Sequence, residues 1–324
     1  MKRKVIRQGS STLTMSLPAK WIKKNGIKPG DEIDVDEVGD VLVLGKGSAK
    51  RELIAEIDIE GKDEKFIYRY LDNLYMHGYD EIRIKFGNRR QLEQIQYIVG
   101  RLLGFAIIEQ KAKSCVVREV VETRAEDFDK VFKQLFFTIS ELAEDSLSRL
   151  GEKNWSGLID VKERDRAIVN KLAFFCIRVL NKEGYTDPKK TTALHDLIIT
   201  LENIGDEYAN LSEELALLKR PVSAAATSML SEVNSLFTAV ESIHYNFDYE
   251  ALKSVHEKCR SIRFEISKIA KPVTQEDFIA RYHSRKIAEC LLDAIDSIIV
   301  LNMPDQNSVD IQNPTGKTHQ GPHD

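Results

Sequence analysis

From Phe128 onward the chain repeats one period, and that period leaves few folds open to it. Phe128, Phe132, Leu135, Ile139, Leu142 and Leu150 recur at helical spacing, enough for about six turns of an amphipathic helix. A second helix is expected from about Val161 to Lys182, ending at Gly184 ahead of Asp187-Pro188. A third carries Leu194, Leu197, Leu201, Ile204, Tyr208, Leu211, Leu215 and Leu218 and stops before Pro221. Helical spacing resumes over 222–245 and over 249–271. Beyond Pro272, Thr274 with Asp277 three residues later reads as the N-terminus of a sixth helix. Six long helices in two sets of three, with prolines at the joints and short connections, predict antiparallel bundles over 125–302.

Composition narrows the class. The 324 residues exceed what one core usually serves. Hydrophobic residues at 42% are enough to build cores, and no run approaches 18 uninterrupted apolar residues, so no membrane span is expected. Cys115, Cys176, Cys259 and Cys290 lie far apart, without the paired spacing of a zinc site or disulfide framework, which fits a cytoplasmic protein. Net charge is only −4, so any surface for a polyanion must come from local segregation of charge.

That segregation stands at the N-terminus. Up to Pro29 the ionisable side chains are Lys2, Arg3, Lys4, Arg7, Lys20, Lys23, Lys24 and Lys28, with no acid among them; from Gly30 to Asp40 every one is acidic. Beneath the charge the pattern is β-rich. Thr12 to Leu17 alternates strictly, Leu13, Met15 and Leu17 on one face and three hydroxyls on the other. Pro18 suits the start of a short helix and Gly26 its stop. Pro29-Gly30 then turns the chain toward Glu32–Asp36, and Val41–Leu44 follows. Four short strands and one helical turn are too few to close a core, so a homodimer is expected.

Arg3-Lys4-Val5, Gly9, Leu17-Pro18-Ala19-Lys20-Trp21 and Gly26-Ile27-Lys28-Pro29-Gly30-Asp31 resemble the AbrB/SpoVT/MazE swapped-hairpin family over residues 1–47. The resemblance implies two chains interleaved in one β-barrel and bound to double-stranded DNA. Lys2, Arg3, Lys4, Arg7, Lys20, Lys23 and Lys24 would contact phosphates, with Ser11, Thr12 and Thr14 adding hydrogen bonds.

Residues 49–121 alternate strand and helix: a strand over 53–59, a helix over 63–76, a strand over 81–86, a helix over 90–103, and a hairpin of Phe105–Gln110 with Cys115–Val121. This is a small α/β domain of ferredoxin-like size, read as a spacer or dimer contact. Gly100 and Gly104 form no dinucleotide fingerprint.

The polar faces of the helical half carry acids. His195, Glu202, Asp206 and Glu213 fall on one stripe of the third helix, and Glu289, Asp293 and Asp296 on the sixth. A hard cation bridging such carboxylates would offset their repulsion. Leu201-Glu202-Asn203-Ile204-Gly205-Asp206 resembles the Glu-Arg-Ile-Gly-Asp helix of PhoU, the phosphate-uptake regulator family, and Lys286–Asp293 would be its counterpart in a second repeat. The resemblance implies a PhoU-like pair of three-helix bundles and a divalent or trivalent metal ion held by Glu202, Asp206, Glu289 and Asp293. Val169-Asn170-Lys171-Leu172 aligns with a Val-Asp-Arg-Leu pattern. Asn170 stands where that pattern has a ligand aspartate, and Asp165 lies five residues earlier where four is usual.

No enzyme is expected. The histidines lack HExxH spacing, and Pro314–Thr318 mimics a phosphate-binding loop with Ile311 in place of its leading glycine. Residues 303–324 read as a flexible tail. The joined families are similar to archaeal-type phosphate-uptake regulators and imply a DNA-binding transcriptional regulator. In the rival reading the bundle is an adaptor on a phosphate ABC transporter or its regulatory kinase, and the barrel only dimerises.

Overall fold

A hairpin of two four-residue strands opens the chain, its second strand alternating Leu13 and Met15 with Thr12 and Thr14. In the computed structural model, which describes residues 2–9, 12–38, 41–45, 52–121, 124–265 and 273–303, β1 (Val5–Gln8) pairs antiparallel with β2 (Thr12–Met15), Val5 opposite Met15 and Arg7 opposite Leu13. Helix α1 (Ala19–Asn25) follows Pro18. It ends where Gly26 takes φ 61°, letting the Gly26 and Ile27 amides bond back to carbonyls of the last turn. The Lys28 and Asp31 backbones close a turn across Pro29-Gly30, and Asp31 also accepts from the Lys28 amide. A second hairpin joins β3 (Asp34–Val38) and β4 (Val41–Gly45).

The chain divides into two compact units. One holds the N-terminal residues to Leu53, with Thr186–Pro188, and the other runs from Ile54 through the remaining chain. Two hairpins and one short helix supply the first unit with no interior: none of its described residues is buried. Val5, Ile6, Leu13, Val35 and Leu42 are each more than half exposed.

The second unit begins with a four-stranded sheet in the order β5-β6-β8-β7, built from β5 (Ile54–Asp58), α2 (Glu64–His77), β6 (Glu81–Lys85), α3 (Arg89–Val99), β7 (Phe105–Gln110) and β8 (Ser114–Glu119). β5 and β6 run parallel across the α2 crossover; β8 is antiparallel to β6 and β7. Asp63 and Asn88 cap the two helices by accepting from Phe66 and Gln91 amides. Ile57, Ile82, Ile84 and Val117 meet Ile67, Leu71, Ile95 and Ile98 in a core on one side of the sheet.

The remainder is largely helical: α4 (Phe128–Gly151), α5 (Trp155–Arg164), α6 (Asn170–Glu183), α7 (Thr191–Leu218), α8 (Ala224–Tyr245), α9 (Tyr249–Glu265) and α10 (Gln275–Leu301). Their apolar stripes merge into one core, with α7 against α10 and α5, and α4 against α8. The single helix expected over 161–182 starts earlier, at Trp155, and is interrupted by a π turn over Asp165–Val169. Ser11 and residues 304–324, with the expected tail and the loop mimic in it, lie outside the described residues.

The sheet domain is locked onto the helices by an arginine. Arg178 of α6 is fully buried. Its guanidinium donates to the Tyr75 and Tyr79 carbonyls at 2.8 and 2.9 Å and to Glu119 at 2.8 Å. It also lies over the rings of Tyr75 and Phe105. One turn on, Lys182 reaches Asp80 and Glu119 at 2.6 and 2.7 Å.

Candidate nucleic-acid interface

Lys2, Arg3, Lys4 and Arg7 are exposed on and just before β1. Lys20, Lys23 and Lys24 are exposed on α1, where spacing of three and four residues puts them on one helix face. Lys23 and Lys24 stand in the last turn, where cations suit the negative end of the helix. The hydroxyls divide from Arg7. In the β1-β2 register Arg7 shares the face of Val5, Leu13 and Met15, while Thr12 and Thr14 share the other with Ile6 and Gln8. Thr14 donates its hydroxyl to the Ile6 carbonyl at 3.3 Å. Its oxygen keeps only accepting capacity, which a phosphate cannot use. Arg7 sits beside exposed aliphatic side chains, so a second chain covering them would leave its long stem packed and its guanidinium at the rim.

The four carboxylates singled out on the helices are placed in two separate groups. Glu202 is half-buried on α7, and both burial and the like charges of Asp206 and Asp72 push its carboxyl up to about 7. Asp72 comes from α2 of the sheet domain. It is 7% exposed, its Oδ1 has no partner, and burial raises its carboxyl to about 7. The π turn sets Asp165 against α7. The Asn170 amide bonds back five residues to the Asp165 carbonyl, so a spacing of five stacks Asp165 and Asn170 on one face as four would in an ordinary helix. Asp165 is fully buried against Gly205, where a Cβ would stand 2.6 Å from its Oδ1. A larger residue there would have to displace Asp165 or Val169.

The other group is neutralised differently. Glu289 pairs with Arg285 at 3.0 Å, Arg263 at 3.5 Å and Lys286 at 3.8 Å. Asp293 and Asp296 line a shallow groove of about 470 Å³ with His195 and Asp196. Among the described residues no three His, Cys, Asp or Glu side chains are grouped to hold a metal ion. No helix among them is long and apolar enough to cross a membrane.

Sequence reasoning missed Asp72 and Arg178. Neither belongs to a motif; each matters because a helix of one domain meets a helix of the other, and no local spacing announces that meeting.

Asp72 carries a pH prediction. Its carboxyl binds a proton near pH 7 when folded and near 3.8 when unfolded. The folded chain therefore holds more protons between these values, and the stability this gives is full below about pH 4 and lost as pH rises through 7. Asp72→Asn removes the buried charge. It should match the parent near pH 4 and exceed it at pH 8 by up to about 4 kcal/mol, read from urea midpoints at the two pH values. A parent that gains on the variant as pH rises would reverse the assignment.

Residues 6–52 match the family model described as antidote-toxin recognition MazE, bacterial antitoxin. No curated protein and no solved structure matches the chain.

Proposed function

We propose that this chain is a homodimeric, DNA-binding transcriptional regulator of phosphate uptake. The observation that carries the reading is the first unit: exposed cations with no acid among them up to Pro29, on and before a hairpin and on a short helix that bury nothing alone, most of them within the residues 6–52 that match the MazE model. Two such units interleaved as one barrel cover Val5, Leu13 and Met15 and double the array of cations. Phosphate contacts from Lys and Arg supply affinity by counterion release. The helical part is the sensor. Its helix order and the Glu202–Asp206 motif support a PhoU-like reading, and a ligand on its acidic faces would bias DNA affinity by binding one arrangement of the dimer better than another. It has no catalytic role.

The test is DNA retention as a function of salt, with and without inorganic phosphate and divalent cation. Affinity should fall steeply with salt. Lys4→Ala with Arg7→Ala removes up to four phosphate contacts per dimer and should flatten the log–log slope by about three to four. An unchanged slope would move the contacts elsewhere, and indifference to phosphate and cation would defeat the coupling. The description of the matched model favours a second reading, an antitoxin-type regulator whose partner is a protein. There the chain would retain that partner after the double substitution has removed DNA binding.

A further inference from the structure

Two lysines of the helical part hold backbone angles that suit glycine. Lys153 follows α4 with φ 56° and Lys219 follows α7 with φ 53°; among the described residues no other side chain sits at positive φ. Each makes a left-handed helix stop, the Lys153 amide bonding back to the Leu150 carbonyl and the Lys219 amide to that of Leu215. Glycine fills such a position without steric cost, and a side chain does not. A cation near a helix C-terminus gains from the dipole, but any position in the last turn offers that gain without the left-handed backbone.

Both lysines are exposed and line one groove of about 650 Å³. Trp155 and Ile159 of α5 and Ala216 and Leu217 of α7 give it an apolar lining, and no acid lines it. Leu217 is 74% exposed, more than any other large apolar side chain among the described residues. The remaining polar groups serve the α5 N-terminus: Asn154 Oδ1 accepts from the Gly157 amide at 2.9 Å and from the Ser156 hydroxyl at 3.1 Å. Recognition by charge falls to the two lysines.

We infer that this groove docks an acidic segment of a protein partner, which seats an apolar anchor against Trp155 and Leu217 and sets carboxylates against Lys153 and Lys219. The site lies within the second unit and is independent of the DNA-binding reading. Charge and shape choose the occupant. A second copy of the groove would set lysine against lysine. A nucleic acid would satisfy the lysines and leave Leu217 uncovered. A bilayer is flat and reaches the rim of a concave site, not its lining. An acidic amphipathic peptide meets both demands, by the mode in which apolar anchors fill a hydrophobic groove. The groove on the face of the sheet left open by α2 and α3 differs: it balances four acidic against four basic side chains and favours no partner by charge.

The experiment uses the full chain and a phage-displayed library of random dodecapeptides. Selection on the parent is followed by counter-selection on Leu217→Asp, which an exposed position tolerates and which discards peptides held by the N-terminal cations. Surviving sequences should be rich in Asp and Glu around a leucine or aromatic anchor. One of them, labelled with fluorescein, is titrated by anisotropy. Lys153→Gly with Lys219→Gly should weaken it about tenfold, as for two exposed charge pairs. The urea midpoint of the same variant should stay level or rise, because glycine relieves both left-handed stops. Lysines that serve only the helix ends would instead lower the midpoint, and that result overturns the site. So does a peptide that keeps its affinity for the glycine variant, a set of survivors without excess acid, or no survivor at all. DNA retention should be unchanged in the glycine variant, so the failure of this site and the failure of the DNA-binding reading are read separately.

Discussion

Leu13→Asp should leave the chain monomeric and unable to retain DNA. Leu13 is 67% exposed on β2, on the face it shares with Val5 and Met15. Covering a leucine contributes about 1.5–3 kcal/mol, and a two-fold dimer loses it twice, so roughly 3–6 kcal/mol goes with the side chain. That is a rise of about a hundred- to ten-thousand-fold in the dimer dissociation constant. A carboxylate without a partner in the same place adds a desolvation cost. Light scattering reads the mass and a salt-dependent DNA retention assay reads the consequence. Thr12→Asp, one residue away on the opposite face, should keep the dimer. If the two variants behave alike, or Leu13→Asp stays dimeric, the apolar hairpin face is not the dimer seam.

Arg178→Ala should cost about 3–5 kcal/mol of stability, the usual penalty for removing one partner of a buried charge network. The guanidinium donates to the Tyr75 and Tyr79 carbonyls at the end of α2 and to Glu119 at once, and its removal takes the charge-assisted donor from all three, leaving Tyr75 only the Gly78 amide. Lys182 keeps Asp80 and Glu119 partly compensated, which should hold the loss within that range. The fault will be local to the seam between sheet and helices, so amides of α2 and β8 should lose hydrogen-exchange protection before those of α7 and α10. Arg178→Lys should recover only part of the loss, because an ammonium cannot reproduce the fork that reaches both carbonyls and the carboxylate. Equal loss of protection across all helices would show that Arg178 supports the whole core rather than the seam.

Local pattern carried the sequence reading far. Period 2 at Thr12–Leu17 and period 3.6 from Phe128 onward name the hairpin and the long helices because each element must bury one face whatever it packs against. The stops were equally legible, since Gly26 and Pro221 act through backbone geometry within a few residues. The second helix was less so: an unbroken helical period hides a π turn, whose one extra residue is absorbed without a proline or glycine to mark it.

The candidate site divides the same way. Cations at the N-terminus are visible in the sequence because solvation keeps them outside, where structure finds them. Which face each joins is also local, and it sets Arg7 apart from Thr12 and Thr14. The acids of the helices were visible as residues and not as a site. Glu202 keeps company with Asp72 from another domain, while Glu289 is surrounded by Arg263, Arg285 and Lys286.

By itself, then, the sequence determined most of the elements, the stops marked by glycine or proline and the sign of the N-terminal surface, all of which follow from interactions a few residues long. Only the tertiary structure decided that Arg178 is a buried lock, that Asp72 meets Glu202, and that one face of the sheet stays open. Those depend on which surfaces come together across a hundred residues of chain and more, and the free energy of such meetings belongs to neither partner's sequence alone.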